Sequence, residues 1–262
     1  MTIARIAQST IGANPFMVEG PIVAGSGIPG PNFRLGTVIP GEAEAEFVYV
    51  KLVLASQTTL SPGQAFYYDK DFSAALLTTS AVSIGQNVGV FAGALLPSTV
   101  TGGPITAVTL AAGTYYIWLQ RHGNAPAFVT TATANLIVAE TTATAGKINA
   151  PSSATSGSKA IAGVTFSAAN FTFTATATSG SAVLTNVSGA SPASGPFIGA
   201  SLSQTTGITS SQTITGITYS PNGTIQSITM SAAADGTATG TVTATGVLEA
   251  RLRRPYVSAS NP

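Results

Sequence analysis

The chain carries one imidazole, His122, and no cysteine. A lone histidine could serve as a catalytic base. It sits in Arg121-His-Gly-Asn, however, where glycine and asparagine mark a turn. The expectation is therefore a solvent-exposed turn residue. One histidine without cysteine excludes multi-His or Cys zinc ligation, and with it disulfides and thiolate chemistry. No G-x-S-x-G elbow occurs. Asp69-Lys-Asp71 places two carboxylates two residues apart, as a calcium loop would begin. The glycine and bidentate glutamate of an EF-hand do not follow, so a solvated strand end is expected there. Gly25-Ser-Gly-Ile-Pro-Gly imitates a dinucleotide fingerprint, but Pro29 and the lack of a following helix defeat it. Tyr115, Tyr116 and Trp118 alternate as strand residues and could form a sugar-stacking platform. No catalytic, metal or cofactor set assembles from these groups, and the chain reads as non-enzymatic with no cofactor.

The remaining chemistry is charge. In Glu42-Ala-Glu-Ala-Glu-Phe, a strand would put Glu42, Glu44 and Glu46 on one face. In Val247-Leu-Glu-Ala-Arg-Leu-Arg-Arg-Pro-Tyr-Val, a strand would put Glu249, Arg251 and Arg253 on one face. Leu248, Ala250, Leu252 and Arg254 would take the other. The acidic face is the natural partner of the arginine face, within one chain or between subunits. Exposed pairs of this kind contribute about 0.2–1 kcal/mol each, so they set register and partner choice more than stability.

Elsewhere charge is scarce. Charged residues are 7% of the 262, against about 25% in an ordinary soluble domain, and the formal net charge is +1. No Asp, Glu, Lys, Arg or His lies between Lys159 and Asp235, and none lies from Ser73 to Gln120. Near-zero net charge favours association, so an assembled state is expected. Three arginines beside a net charge of +1 are too few for nucleic-acid binding. The N-terminus has no apolar run of the secretory kind, and Val82 to Leu96 is too short and too interrupted for a membrane span. No membrane and no nucleic-acid partner are expected.

The elements that would position these groups read as strands. The chain is rich in Val, Ile and Thr and 44% hydrophobic, which predicts a folded β protein. Residues 1–35 are broken by Gly20-Pro21, Gly25, Gly27 and Pro29-Gly30-Pro31. They predict an extended N-terminal arm that could lie across a neighbouring subunit. Strand signals follow at Phe47-Val-Tyr-Val-Lys-Leu-Val-Leu, Ala65-Phe-Tyr-Tyr, Val88 to Leu96, Tyr115-Tyr-Ile-Trp-Leu-Gln and Ala127-Phe-Val-Thr-Thr. Turns at Leu60-Ser-Pro-Gly-Gln, Gly102-Gly-Pro and 121–124 separate them, and a single helical turn fits Phe72 to Thr78. Spacing of about ten residues between such signals means a barrel or sandwich. At Ala150 the composition shifts, and Pro151-Ser-Ser-Ala-Thr-Ser-Gly-Ser reads as a linker. In the uncharged block beyond it, Asn222-Gly223 between two β-rich runs is a hairpin signal. Gly240-Thr-Val-Thr-Ala-Thr is a further strand.

Two passages carry a resemblance. Phe47-Val-Tyr-Val-Lys, the Gly63 turn, Val88-Gly-Val-Phe-Ala-Gly, Gly113-Thr-Tyr-Tyr-Ile-Trp-Leu-Gln-Arg-His-Gly and Leu252-Arg-Arg-Pro-Tyr resemble small β-rich virion proteins of tailed bacteriophages. Members of this kind are capsid decoration, or cement, proteins. The stretch from Thr178 to Thr241 is similar to a β module that recurs in phage structural proteins. The usual cement chains are shorter and lack this insert.

The resemblance implies an all-β fold in three parts. An extended N-terminal arm (1–35) precedes a β-barrel or sandwich domain (36–150 plus 246–257) that binds the capsid. A second, small β-sandwich-like module (160–245) is inserted before that domain's last strand. It implies a structural protein on the virion's capsid surface, made in the host cytoplasm and stabilising the shell of the major capsid protein. The protein would be a homo-oligomer, with a trimer favoured over a dimer. Candidate contact residues are Glu42, Glu44, Glu46, Arg251, Arg253 and Arg254, with Phe16, Phe33 and Arg34 of the arm. The alternative is a tail or head-fibre adhesin binding host glycan through Tyr219 or Trp118.

Overall fold

A computed structural model of the chain describes residues 14–21, 31–41, 44–93, 107–132, 139–151, 153–166, 168–191, 195–204, 206–220 and 222–260. Its described elements are all β. In chain order they are β1 (Val38–Pro40), β2 (Glu46–Leu54), β3 (Thr58–Leu60), β4 (Ala65–Tyr68), β5 (Ser73–Leu76) and β6 (Asn87–Phe91). Next come β7 (Val108–Leu110), β8 (Gly113–Ala132), β9 (Glu140–Thr141), β10 (Ile148–Ala150), β11 (Lys159–Phe166) and β12 (Phe171–Ala177). Then follow β13 (Val183–Ser188), β14 (Ser201–Gln204), β15 (Ile208–Tyr219), β16 (Ile225–Met230), β17 (Ala238–Thr245) and β18 (Val247–Ser260). Among the described residues no helix is long and apolar enough to cross a membrane.

Strand β8 organises the first part of the molecule. It is 20 residues long, and pairings along its two halves close two circuits. Its first half joins β2, β5, β4 and β6 back to itself. Its second half joins β18, β11, β9 and β10 back to itself. The period of two assigns the cores. Val48, Val50 and Leu52 of β2 cluster with Phe66, Phe91, Ile117 and Leu119 and so line the first circuit. The alternate residues Phe47, Tyr49 and Trp118 form a separate outer cluster with Ile39. Ala125, Ala127 and Val129 cluster with Ile148, Ile161, Val164, Leu248, Ala250 and Leu252 and so line the second circuit.

The expected turn at 121–124 is the midpoint of β8. Gly123 bends the strand at φ +84, and a Cβ there would lie 2.9 Å from the Ala45 Cα. The buried Gln120 carboxamide donates to the carbonyls of His122 and Asn124 on either side of the bend, at 3.0 and 2.9 Å. A glycine that reads locally as a turn thus allows close backbone approach inside one continuous strand. The helical turn expected at Phe72 to Thr78 is also absent. Ser73–Leu76 is β5, entered through a tight turn in which Asp69 Oδ1 accepts from the amides of Asp71 and Ser73. That turn fits the solvated strand end expected at Asp69-Lys-Asp71. Of the Val88 to Leu96 run, the strand ends at Phe91, and positions 94–96 lie outside the described residues.

The uncharged block closes into a barrel of six strands, β12-β13-β16-β15-β14-β17. Phe173, Ala175, Ala177, Leu184, Leu202, Ile214, Ile228, Val242 and Ala244 fill it. The Asn222-Gly223 hairpin connects β15 to β16. Its turn is longer than a two-residue one, and Gly223 rather than Asn222 takes the positive φ, at +82. Asn222 Oδ1 instead accepts from the Thr224 amide at 3.3 Å, in the manner of an Asx turn, and from the Thr224 hydroxyl at 2.9 Å.

The barrel begins later than position 160. Lys159–Phe166 is β11, a strand of the first part that pairs antiparallel with β18 from Lys159↔Ser260 to Phe166↔Ala250. The Ser/Thr-rich run before it is held in place rather than free. Buried Glu140 accepts from the Thr155 amide at 2.9 Å and the Ser158 hydroxyl at 2.7 Å, and from Asn149 Nδ2 at 2.7 Å. Burial alone would raise the Glu140 carboxyl, but these hydrogen bonds outweigh it and hold the pKa below the ordinary value.

Phe128 of β8 joins the two parts. It packs onto the barrel core, and both flanking glycines leave it room. A Cβ at Gly63 would lie 3.2 Å from its ring, and one at Gly199 would lie 2.5 Å away.

Candidate interaction surface

The expected acidic and basic residues do meet, in one chain, where β2, β8 and β18 converge. Glu44 is not on a strand. It occupies a turn at φ +65, because β2 begins only at Glu46. Even so its carboxylate takes Arg251 Nη2 at 3.1 Å, and its backbone carbonyl lies 2.8 Å from His122 Nδ1. Glu46 is the better buried partner. It accepts from Arg254 Nη2 at 3.1 Å and from Arg121 Nε. Burial would raise the Glu46 carboxyl, but hydrogen bonds from Arg254 and Arg121, and then their charge, hold it below the ordinary range. Asn124 Nδ2 donates to Glu249 Oε1 at 2.7 Å.

The strand arithmetic misplaced Arg254. Arg254 adopts φ +50, and the β11–β18 register shifts across this point. Beyond the irregularity Pro255 and Val257 face inward, and Arg254 turns outward. Gly163 of β11 makes the irregularity feasible, since a Cβ there would meet the Arg253 carbonyl at 2.8 Å. Arg253 is exposed and stands opposite His122 in register. Glu42 lies outside the described residues. Arg121 and Asn124 were missed as partners because they fall within the apparent turn.

The described pieces of the arm lie on the chain's own first part. Glu19 pairs its backbone with Tyr116, and its carboxylate accepts from the Tyr49 hydroxyl at 2.6 Å and the Asn32 amide at 3.0 Å. Burial first, and then the Glu19 hydrogen bond, push the Tyr49 phenol far above its ordinary pKa. Phe33 packs edge-on against Tyr49 and Trp118 at 5.6 and 5.4 Å. It covers that cluster and is itself half-buried. Phe16 is half-buried, and Arg34 is exposed with its carbonyl accepting from Thr37. Trp118 is 0% exposed, so it cannot stack on a sugar. Tyr219, at 39%, remains accessible. His122 belongs to a strand and is half-buried. Among the described residues no group of three or more His, Asp or Glu could hold a metal ion.

Among the described residues the barrel is closed, β5 and β6 are paired on both sides, and the edge strands β1, β3 and β7 have three residues each, β1 ending in Pro40. Short edges and proline blunt pairing with foreign strands.

No family model matches the sequence, and no match was found among curated proteins or solved structures.

Proposed function

We propose that this chain is a structural virion protein that decorates a tailed-phage capsid and stabilises the shell of its major capsid protein. The observation that supports this reading most is where the resembling segments lie. Phe47 to Lys51, Val88 to Phe91, Gly113 to Gly123 and Leu252 to Tyr256 are far apart in sequence. They fall on β2, β6, β8 and β18, which pair with one another. The resemblance thus covers one folded unit, and the barrel interrupts it between two strands that remain paired. Such a unit can seat on a lattice while the barrel projects.

Because Glu44, Glu46, Arg251 and Arg254 pair within the chain, the reading assigns them to shaping the unit. Capsid contact then falls to shape, apolar surface and the exposed Arg34 and Arg253. The protein would act as a homo-oligomer, a trimer rather than a dimer.

The test is to add the purified chain to capsid shells of the encoding phage that lack it, and image them by cryo-electron microscopy. Density repeated over the shell lattice, with a raised shell disruption temperature, is the expected result. Absence from the shell, or confinement to the tail, would overturn the reading and favour the adhesin alternative.

A further inference from the structure

The turn between β15 and β16 holds the chain's single Asn-Gly pair, Asn222-Gly223. Both residues are exposed. Gly223 stands in open space, since a Cβ built on it would meet no atom within 4 Å. Its backbone nitrogen therefore has no side chain beside it, and solvent can reach it.

Three donors converge on the Asn222 side-chain oxygen. The Thr224 amide donates to Oδ1 at 3.3 Å and the Thr224 hydroxyl at 2.9 Å. The amide, which can only donate, fixes which end of the carboxamide is oxygen. The Ser220 hydroxyl lies against the same Oδ1 and, at 2.6 Å, against the Thr224 hydroxyl. Each hydroxyl has one proton. Thr224 gives its proton to Oδ1, and Ser220 gives its own to Oδ1 or to the Thr224 oxygen. Either arrangement polarises the carboxamide carbonyl. Donors thus stand where negative charge would gather if the Asn222 Cγ were attacked.

The attacking group is already at hand. The Asn222 Cγ and the Gly223 nitrogen are separated by so few bonds that joining them closes a five-membered ring, an intramolecular step with little entropy left to lose. A side chain on the following residue crowds that closure, and glycine has none. Asn186 is the internal contrast. It is exposed on the same barrel, but the β-branched Val187 follows it.

We propose that Asn222-Gly223 is a self-modifying site that turns into an acidic residue without an enzyme. The Gly223 nitrogen loses its proton to solvent base and bonds to Asn222 Cγ, while Thr224 and Ser220 hold the developing oxyanion. The Cγ–Nδ2 bond then breaks, and ammonia leaves with a proton taken from water. Water opens the resulting succinimide at either carbonyl, giving aspartate or isoaspartate, and nothing is oxidised or reduced. The Gly223 N–H must first leave the Ser220 carbonyl, to which it donates at 2.9 Å, so the change is slow. Each event takes the formal net charge from +1 to 0. It also sets a carboxylate at the end of a barrel whose other acidic residue is Asp235. Aspartate keeps the three donors. Isoaspartate adds a backbone carbon inside the Ser220–Thr224 turn and frays the end of the β15–β16 pair. The site belongs to the barrel alone and stands apart from the capsid reading.

The test incubates the full chain in mildly alkaline buffer and follows it by peptide mass spectrometry with isoaspartate detection. Conversion of Asn222 is expected, faster as pH rises, with Asn186 unchanged over the same interval. Gly223→Val should slow conversion roughly tenfold or more, because a β-branched side chain crowds the attacking nitrogen. Thr224→Val keeps the amide donor, deletes the hydroxyl and should slow conversion several-fold. An Asn222 that stays intact overturns the proposal, as does conversion no faster than that of Asn186. A faster rate in Thr224→Val would overturn the part given to the hydroxyls, because looseness of the turn would then be in control.

Discussion

The two closed parts of this molecule solve one problem by different means. The first part, built around β8, has a core of large aromatics, with Trp118, Tyr49, Phe47 and Phe66 fully buried. It also holds every described ion pair. The barrel is filled mainly by alanines, valines, leucines and isoleucines, with Phe173 and Met230 among them, and its one Asp, Glu, Lys, Arg or His is Asp235. The contrast follows from sheet closure. Where six strands close on themselves no edge remains to be guarded by charge, and hydroxyls suffice to wet the outer wall. The first part must instead turn corners, at Gly123, Glu44 and Arg254, and the ion pairs of Glu44 and Glu46 sit at those corners. The stretch from Ser73 to Gln120 in the first part is uncharged as well, so scarcity of charge here goes with paired, closed β structure and not with disorder.

Breaking the aromatic core should separate the two parts most sharply. Trp118→Ala should cost about 3–5 kcal/mol, borne by the first part alone. Hydrogen exchange followed by mass spectrometry should show β2 and β8 losing protection while β12 and β17 keep theirs. Equal loss in both parts would mean that they unfold as one unit, coupled through Phe128.

A smaller effect is expected at the buried carboxylate. Glu140→Gln removes charge-assisted hydrogen bonds and should cost about 1–3 kcal/mol at neutral pH. Its pKa is depressed in the folded chain. Its contribution is therefore complete above the unfolded value and is lost as pH falls through the folded one. Denaturant titrations from pH 7 downward should show the wild-type and Glu140→Gln curves converging once the pH passes below about 4.5, the ordinary value. Curves that stay parallel would assign Glu140 no linked proton. The barrel's exchange rates should not respond in either chain.

The smallest change is expected from Arg254→Ala. Its side chain is 66% exposed, and Arg121 remains on Glu46 to hold that carboxylate. The melting temperature should move far less than in Trp118→Ala, and the difference should vanish in high salt because exposed pairs are screened. A shift that persists at high salt would point to the backbone irregularity at Arg254 rather than to its charge.

Much of this was legible in the residues. The Val, Ile and Thr content announced an all-β fold, and Asn222-Gly223 announced its hairpin. Glu44 and Arg251 were correctly read as partners. What escaped was long-range. Gly123 has the local signature of a turn, and only the approach of Ala45 makes it a bend inside a strand. Alternation placed Arg254 on the buried face, because an irregularity involving Gly163, some ninety residues away, cannot be counted in advance. The run 151–158 reads as a linker until Glu140 is seen to gather it. Trp118 reads as a platform until Phe33 is seen to cover it.

The way the barrel is attached has a mechanical consequence. Its two connections leave from Phe166 and enter at Val247, beside the Phe166↔Ala250 pair at one end of the β11–β18 ladder. A tug on the barrel therefore pulls β11 and β18 together, lengthwise. It loads the β8–β18 ladder, seven residue pairs from Val247↔Phe128 to Arg253↔His122, in shear. Those bonds must yield together rather than one after another. An appendage hung in this way can be buffeted without peeling open the unit that carries it.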